Sequence, residues 1–301
     1  MMKKLFGTLA LLAGAISLAA CGSGSVDSLK TGEASPSGET SSAAKAGGSG
    51  VEDGVFTVAM EAAYAPYNWA QPDDANGAVK IKGAELYANG YDVMTAKEIA
   101  DANGWKLEIV QLEWDSLIPA VQAGTVDATI AGQSMTKERE KTVDFAGPYL
   151  YANIVALTKA DSKFAGAKGL ADLAGGKATS QSGTVWYDTL IPQIKDVDKQ
   201  PPAASAPAML MALETGQVDY VVTDMPTAQG ALIAYPDMKI LDFSSGDDNF
   251  KASDEDVNIG IAIRKGNTEL KDGINAVLKD KTAEDFNKLM EQAAKIQPLQ
   301  K

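Results

Sequence analysis

Strand-like and helix-like segments alternate along this sequence, and the alternation limits the fold more than any other feature. Phe56 to Met60 has the composition of a strand, and the apolar spacing from Asp92 to Asn103 predicts a helix that ends at Gly104. The pattern continues with strand Leu107–Leu112, helix Trp114–Ala123 ending at Gly124, and strand Val126–Ala131. This order predicts an α/β fold with mainly parallel sheets.

A short internal sequence repeat, which we call the echo, indicates two similar halves. The segment from Ala120 to Asp127 reads AVQAGTVD, and the segment from Ala212 to Asp219 reads ALETGQVD. An apolar strand follows each copy, the first reaching Gly132 and the second Asp224. Ligands of open α/β sheets bind beyond the carboxyl ends of strands, so two facing sheets would bring both ends to one cleft. The alternative is chance recurrence of a unit that is common in α/β proteins.

The first 50 residues have the composition of an export signal followed by a tether. Lys3 and Lys4 precede an apolar run from Leu5 to Leu18, which is too short for a membrane span and fits residues 1–20 as a signal peptide. Leu-Ala-Ala-Cys21 resembles the lipobox of bacterial lipoproteins, which implies lipidation of Cys21. An ordinary signal peptide cut at the same place is the alternative. Residues 21–50 are rich in Gly, Ser, Ala and Thr, and we expect a flexible tether there.

Composition and charge exclude several function classes. The formal net charge of -13 disfavours nucleic acid and acidic membrane surfaces as partners. The sequence has no histidine, which excludes a Ser-His-Asp or Cys-His nucleophile. Cys21 is the single cysteine, so no intrachain disulfide can form. We predict no cofactor, no metal site and no catalytic residue.

Several motifs, in a fixed order from Val55 onward, are similar to those of family 3 solute-binding proteins, the polar amino acid receptors of ABC importers. The matching segments are Tyr64–Tyr67, Gly90–Val93, Trp114–Ala120, Ala131–Arg139, Val143–Tyr149, Ser182–Thr184, Gly216–Asp219 and Ile263–Asn267. Met94 departs from the family pattern, which usually has a second acid there. Val185 and Trp186 also depart, because small or polar residues are common at those positions.

The resemblance implies a two-lobed, periplasmic-binding-protein-like (type II) fold with two crossover hinge strands. Lobe 1 would contain residues 51–150 and 252–301, and lobe 2 would contain residues 151–251. The implied protein is extracytoplasmic, is held at the membrane by its lipid, and delivers a small amino acid ligand to the membrane subunits of an ABC permease. We expect it to be a monomer whose lobes close around the ligand.

Five residues are candidates for the ligand's backbone groups. Arg139 lies in the first turn of a helix that Thr136 should cap, where a cation opposes the helix dipole unless it binds an anion. Its motif resembles the family's carboxylate-binding segment, so Arg139, Ser134 and Thr184 are predicted carboxylate contacts. Asp224, Gly132 and Ser134 are predicted ammonium contacts. The alternatives are a solvated Arg139, turn roles for Ser134 and Thr184, and a helix cap at Asp224.

The predicted side-chain pocket contains Glu61, Tyr64 and Trp114. Glu61 follows the strand that ends at Met60, and related receptors often have an acid there facing the ligand side chain. A carboxylate favours a guanidinium, ammonium or amide, so we expect a basic or amide amino acid, with arginine, lysine and glutamine leading. Tyr64 and Trp114 match family residues that enclose the ligand. Glu61 as a solvated rim residue, with the aromatic residues selecting an apolar side chain, is the alternative.

Two other functions remain open for a chain with this fold. A dehydratase-like enzyme would need an acid–base group, which a glutamate could supply without histidine. An amino-acid sensor would report its ligand to a partner protein. We expect a tethered receptor, since no signalling segment follows Lys301.

Overall fold

The computed structural model describes residue 51 and residues 53–298, so the predicted signal peptide, Cys21 and the tether lie outside the described residues. In this part of the chain no helix is long and apolar enough to cross a membrane. The strands in these residues are β1 (Val55–Met60), β2 (Ala63–Tyr64), β3 (Asn68–Gln71), β4 (Val79–Lys80), β5 (Tyr87–Asn89), β6 (Lys106–Gln111), β7 (Ala128–Ser134), β8 (Val143–Tyr151), β9 (Ile154–Lys159), β10 (Lys177–Thr179), β11 (Asp198–Lys199), β12 (Tyr220–Asp224), β13 (Met238–Leu241) and β14 (Asn258–Arg264).

The helices of the same residues cover the sheet faces. They are α1 (Tyr91–Asn103), α2 (Leu117–Ala123), α3 (Lys137–Glu140), α4 (Ala206–Glu214), α5 (Met225–Ala234), α6 (Asp254–Val257), α7 (Thr268–Leu278) and α8 (Ala283–Ile296). Trp114–Ser116 forms a 3-10 turn before α2, and Trp186–Leu190 forms a single wide helical turn. Gly104 and Gly124 end α1 and α2 in the left-handed conformation, with φ of 69° at both, as the sequence predicts.

Two five-stranded sheets organise the molecule. The first has the order β6-β1-β7-β14-β8, and the second has the order β11-β10-β12-β9-β13. We call the first sheet with residues 53–151 and 258–298 lobe 1, and the second sheet with residues 154–241 lobe 2. A small sheet of order β2-β3-β5-β4 lies within residues 63–89 and so belongs to lobe 1.

The prediction of mainly parallel sheets is only partly right. In lobe 1, β6, β1 and β7 run parallel, whereas β14 is antiparallel to both β7 and β8. In lobe 2, β11, β10 and β12 run parallel, whereas β9 is antiparallel to both β12 and β13. The antiparallel strands β9 and β14 each follow a connection between the lobes. A chain that arrives from the other lobe enters the sheet at the edge where the parallel strands end, so it runs in the opposite direction.

The sequence echo corresponds to two equivalent structural units. Asp127 accepts a hydrogen bond from the Thr57 amide at 2.8 Å, and Asp219 accepts one from the Lys177 amide at 2.8 Å. In both units the aspartate follows a helix and its glycine stop, and its carboxylate holds the first part of the neighbouring parallel strand. Gly216 has φ of 72°, close to the 69° at Gly124. The repeated letters therefore reflect one repeated packing arrangement, and β7 and β12 are its equivalent strands.

Two segments connect the lobes. Residues 152–153 join β8 to β9, and residues 242–257 lead from β13 through α6 to β14. The two connections touch, because the Ala152 amide donates to the Val257 carbonyl at 2.8 Å. The predicted lobe boundaries after residues 150 and 251 stay predictions; they lie near the end of β8 and in the irregular segment 242–253.

Candidate ligand-binding site

A small cavity lies between the two lobes, and its outline encloses about 250 Å³ of space that includes open solvent. Residues from both sheets line it: Tyr64, Trp114, Gly132, Ser134, Arg139, Gln181, Thr184 and Trp186. Six of these were singled out from the sequence. Ser134 ends β7, whereas Gln181 and Thr184 come shortly after β10, so the cavity lies at strand carboxyl ends of both lobes. A larger groove of about 550 Å³ near α4 and α5 has no charged lining residue, so it offers less to a polar ligand.

Arg139 supplies the cation of this cavity. Its Nη1 donates to the Ser134 carbonyl at 2.8 Å in its own lobe, and its Nη2 donates to the Gly183 carbonyl at 3.1 Å in lobe 2. As predicted, the Thr136 hydroxyl caps α3 by accepting from the Arg139 amide. Desolvation lowers the pKa of the guanidinium to about 10, so it stays charged at neutral pH.

No carboxylate of residues 53–298 forms an ion pair with Arg139, since desolvation alone shifts its pKa. The guanidinium carbon instead lies 5.4 Å from the centre of the Trp114 ring, within the range of a cation–π contact. A desolvated guanidinium without a counterion is unfavourable in the protein alone. The arrangement therefore suits an anionic group supplied by a ligand, which the planar guanidinium can bind through two hydrogen bonds.

Glu61 is buried directly after β1, with 6% of its surface exposed. Its Oε1 accepts a hydrogen bond from Gln181 Nε2 across the cleft at 3.3 Å, whereas its buried Oε2 has no partner among the described residues. Burial raises the pKa of this carboxyl to about 7, with smaller contributions from nearby carboxylates. Glu61 does not itself line the cavity, and Gln181 separates it by one hydrogen bond. An unpaired buried oxygen at this place can accept from a ligand donor.

Asp224 is fully buried at the end of β12 and caps α5, because its Oδ1 accepts from the Thr227 amide at 2.8 Å. This is the helix-cap role left open by the sequence. Its Oδ2 accepts from two tyrosines of lobe 1, Tyr64 at 3.2 Å and Tyr67 at 3.0 Å. Asp224 does not line the cavity, whereas its partner Tyr64 does. A ligand ammonium would have to replace one tyrosine hydroxyl to contact it.

Gly132, Ser134 and Thr184 line the cavity, and each also has a structural role. Gly132 has φ of 65°, and a Cβ there would lie 2.9 Å from a Tyr64 ring carbon, so only glycine lets that ring pack this closely. The Ser134 hydroxyl donates to the Asp256 carbonyl at 3.0 Å, and the Thr184 hydroxyl donates to the Gln181 carbonyl at 2.7 Å. Both hydroxyl hydrogens are thus already used within the protein.

Sequence reasoning did not single out Gln181 or Trp186 as contacts. Gln181 could have been found, because it closely follows a strand whose carboxyl end faces the cleft. Trp186 was noted only as a departure from a family pattern, and its fold position makes it a cavity wall. Gly183 contributes a carbonyl to Arg139, a role that leaves no side-chain signal in a sequence.

A family model for bacterial extracellular solute-binding proteins, family 3, matches residues 56–294. The chain belongs to this family. Solved relatives of similar fold include an amino acid ABC transporter substrate-binding protein, AbpA of Streptococcus pneumoniae, bound to L-arginine. It is 26% identical with a TM-score of 0.66, and the match covers 81% of this chain and 95% of that one. The predicted two-lobed α/β fold and the assignment to family 3 are confirmed.

Two further similarities bear on the range of ligands and functions in family 3. A probable histidine-binding protein of Campylobacter jejuni is 33% identical over 149 residues, which are 50% of this chain and 57% of that protein. The match thus spans little more than half the length of this relative. The ancestral amino acid-binding protein AncCDT-1, a precursor of cyclohexadienyl dehydratase, is 28% identical with a TM-score of 0.62. That match covers 80% of this chain and 95% of the ancestral protein.

Proposed function

We propose that this family 3 protein captures a basic or amide amino acid, with L-arginine as the first candidate, for an ABC importer. The observation that carries the proposal is the half-buried, desolvated guanidinium of Arg139, which lacks a carboxylate partner among residues 53–298. The unpaired Oε2 of Glu61 supports a cationic or amide side chain at the other part of the site. The L-arginine bound to the S. pneumoniae relative agrees with this choice.

The proposed pose uses the residues singled out from the sequence. Arg139 binds the ligand carboxylate, with the backbone at Ser134 and Thr184 as neighbours. Gly132, Ser134 and Asp224 receive the ammonium group after a tyrosine hydroxyl leaves Asp224. Glu61, supported by Gln181, accepts from the ligand side chain between Tyr64 and Trp114. A binding site with such opposed charges gains specificity from unfavourable pairing with the wrong side chain.

A ligand panel tests this proposal. We expect L-arginine, L-lysine or L-glutamine to bind at least tenfold tighter than L-glutamate and L-leucine, because a glutamate side chain would face Glu61 and a leucine would leave it unpaired. Isothermal titration calorimetry measures the affinities, and thermal shift gives an independent ranking, since a ligand at 100 times its Kd adds about 2.7 kcal/mol to the free energy of unfolding. Tighter binding of L-glutamate or L-leucine would contradict the proposal.

An enzymatic role is the second candidate, and one observation favours it. The Glu61 carboxyl has a pKa raised to about 7 by burial, which suits a general acid or base. We nevertheless propose binding without turnover, because the same carboxyl has a ready role in recognising a cation. Incubation with cyclohexadienyl substrates, followed by detection of aromatic products, separates the two functions, and turnover that disappears in Glu61→Gln would favour the enzyme.

We also propose that the protein is attached to the membrane through a lipid on Cys21 and delivers its ligand to a permease as a monomer. In its native host, Cys21→Ser should move the protein from the membrane fraction to the soluble fraction, because the proposed attachment depends on the acyl chains that Cys21 carries. Fractionation and immunoblotting measure the change, with Ser28→Ala as the control in the same segment. A Cys21→Ser protein that remains quantitatively in membranes would refute the anchor.

A further inference from the structure

A second buried carboxylate lies behind the cavity, in lobe 1. Asp92 is the second residue of α1 and is fully buried. Its two oxygens accept from two different side chains, Oδ1 from Tyr149 at 2.7 Å and Oδ2 from Asn68 at 2.7 Å. Burial raises the pKa of this carboxyl to about 7. None of the ligand contacts proposed above uses Asp92, although its motif was one of those that identified the family.

The first hydrogen-bond arm leads from Asp92 to the backbone that carries Glu61. Asn68 donates through Nδ2 to Asp92, and its Oδ1 accepts from the Ala62 amide at 2.7 Å. Ala62 has φ of 52°, a left-handed conformation that a non-glycine residue adopts only at an energetic cost. Because Ala62 directly follows Glu61, the arm fixes the turn that aims the Glu61 side chain.

The second arm leads from Asp92 to the cavity wall. The Tyr149 hydroxyl donates to Asp92 and accepts from the Gly132 amide at 3.0 Å. Tyr91 stacks on Tyr149 with ring centres 5.5 Å apart and planes 13° apart, which limits movement of the ring. Gly132 is the second left-handed position at the site, and the Tyr64 ring leaves no room for even a Cβ there.

We propose that Asp92 is a positioning residue for the ligand site, acting through Asn68 and Tyr149 to fix the backbone at Ala62 and Gly132. One carboxylate thereby sets the relative placement of the side-chain acceptor Glu61 and the wall at Gly132. We call the hydrogen bonds from Asp92 through Asn68 to Ala62, and through Tyr149 to Gly132, the relay. The inference rests on the proposed function for its effect on the ligand, whereas the relay itself can be tested without a ligand.

Asp92→Asn breaks the relay although it keeps the shape of the side chain. The NH2 group of the new asparagine must face either Asn68 Nδ2 or the Tyr149 hydroxyl, and both of these groups donate to Asp92 in the wild type. Neither side chain can turn an acceptor toward it without losing another contact, because Asn68 Oδ1 accepts from the Ala62 amide and the Tyr149 oxygen accepts from the Gly132 amide. We expect L-arginine affinity to fall about tenfold or more, which is the size of effect seen in metal sites when a residue that orients a metal ligand is changed. Asp101→Asn, an exposed change on the same helix, should leave the affinity unaltered.

A reciprocal exchange restores every donor and acceptor of the relay. In the double variant Asn68→Asp with Asp92→Asn, the new carboxylate accepts from the Ala62 amide and from the new amide, whose oxygen still accepts from Tyr149. We expect this double variant to bind L-arginine within about threefold of the wild type, although each single variant is weakened. A purely structural need for the wild-type residues at each position would instead make the double variant at least as weak as the worse single variant.

Amide hydrogen exchange at Ala62 and Gly132, followed by NMR without ligand, tests the relay independently. Asp92→Asn should speed exchange by about tenfold or more at the amide of the arm that its NH2 group faces, and the double variant should reverse this. An Asn68 or Tyr149 side chain that no longer donates to residue 92 holds its backbone amide less firmly, so that amide opens more often. Tyr149→Phe should speed exchange at Gly132 and leave Ala62 protected. Unchanged exchange at both amides in Asp92→Asn would overturn the positioning role. Failure of wild-type protein to bind L-arginine would overturn only the proposed ligand.

Discussion

Arg139→Ala should weaken binding of L-arginine by about 30-fold to several thousand-fold. Removing one partner of a desolvated charge pair costs about 2–5 kcal/mol, and each 1.4 kcal/mol is tenfold in affinity. The guanidinium is desolvated and lies over the Trp114 ring, and no carboxylate of the described residues compensates it. The ligand carboxylate would thus lose its counterion in a site that water cannot fully enter. Calorimetry on the purified protein measures the loss.

The stability of Arg139→Ala distinguishes this assignment from a structural role. A desolvated cation without a counterion is unfavourable, so its removal should leave the free energy of unfolding of the ligand-free protein unchanged or raised. Arg139→Lys should be intermediate in affinity, because lysine keeps the charge but not the planar fork. The sequence has one other arginine, the exposed Arg264 on β14, and Arg264→Ala is the matched control. Near-wild-type affinity of Arg139→Ala would rule out the carboxylate role.

Local sequence signals predicted much of the fold because their physics is local. The helix α1 and its stop at Gly104 follow from apolar spacing and a residue that tolerates a left-handed backbone. The echo could be interpreted because Asp127 and Asp219 hold equivalent strands. The antiparallel placement of β9 and β14 could not be predicted from the same patterns. It depends on where the chain crosses between lobes, and no residue at the crossing encodes the strand direction.

Some residues of the site could be predicted and others could not, because some have a local sequence signal and others depend on partners that are distant in the sequence. Arg139 was found because its motif resembles the family's carboxylate-binding segment, and a cation that opposes the dipole of a capped helix agreed with that assignment. Asp224 satisfied both of its interpretations locally, as an acid at a strand end and as a helix cap, and the structure uses the cap. Its two tyrosine partners lie about 160 residues away in the sequence, beyond the range of any local pattern. Gln181 belongs to the same class, because its partner Glu61 is 120 residues away.

Four of the predicted residues take part in hydrogen bonds that cross between the lobes around the cavity. Arg139 bonds to Gly183, Glu61 to Gln181, and Tyr64 to Asp224. Each of these contacts breaks if the lobes separate, and each involves a group that the proposed ligand would also contact. Ligand binding and lobe closure would then draw on the same polar groups, so a change at any of them should alter both affinity and the balance between open and closed forms.

Glu61→Gln should change stability and affinity in opposite directions, and both changes should depend on pH. Burial raises the folded-state pKa of Glu61 from 4.5 to about 7. The folded state therefore holds the proton more tightly than the unfolded state, and stability is lost as pH rises from about 4.5 to about 7. At pH 8 the buried charge costs about 3 kcal/mol, which a neutral glutamine avoids. The amide oxygen introduced by Glu61→Gln can still accept from Gln181, so the exchange preserves that contact.

The ligand-free Glu61→Gln protein should accordingly unfold at higher urea concentration than the wild type at pH 8, with little difference at pH 4.5.

A cationic ligand side chain favours ionised Glu61, so binding of L-arginine to the wild type should release a proton below pH 7 and weaken as pH falls. Glu61→Gln should bind L-arginine less tightly at pH 8 and lose this pH dependence, whereas the exposed control Glu269→Gln should keep both. Urea titrations and calorimetry in buffers of different ionisation enthalpy measure the two effects. Equal pH dependence of L-arginine binding in Glu61→Gln and wild type would show that the released proton does not come from Glu61. Glu61 would then not face the ligand cation.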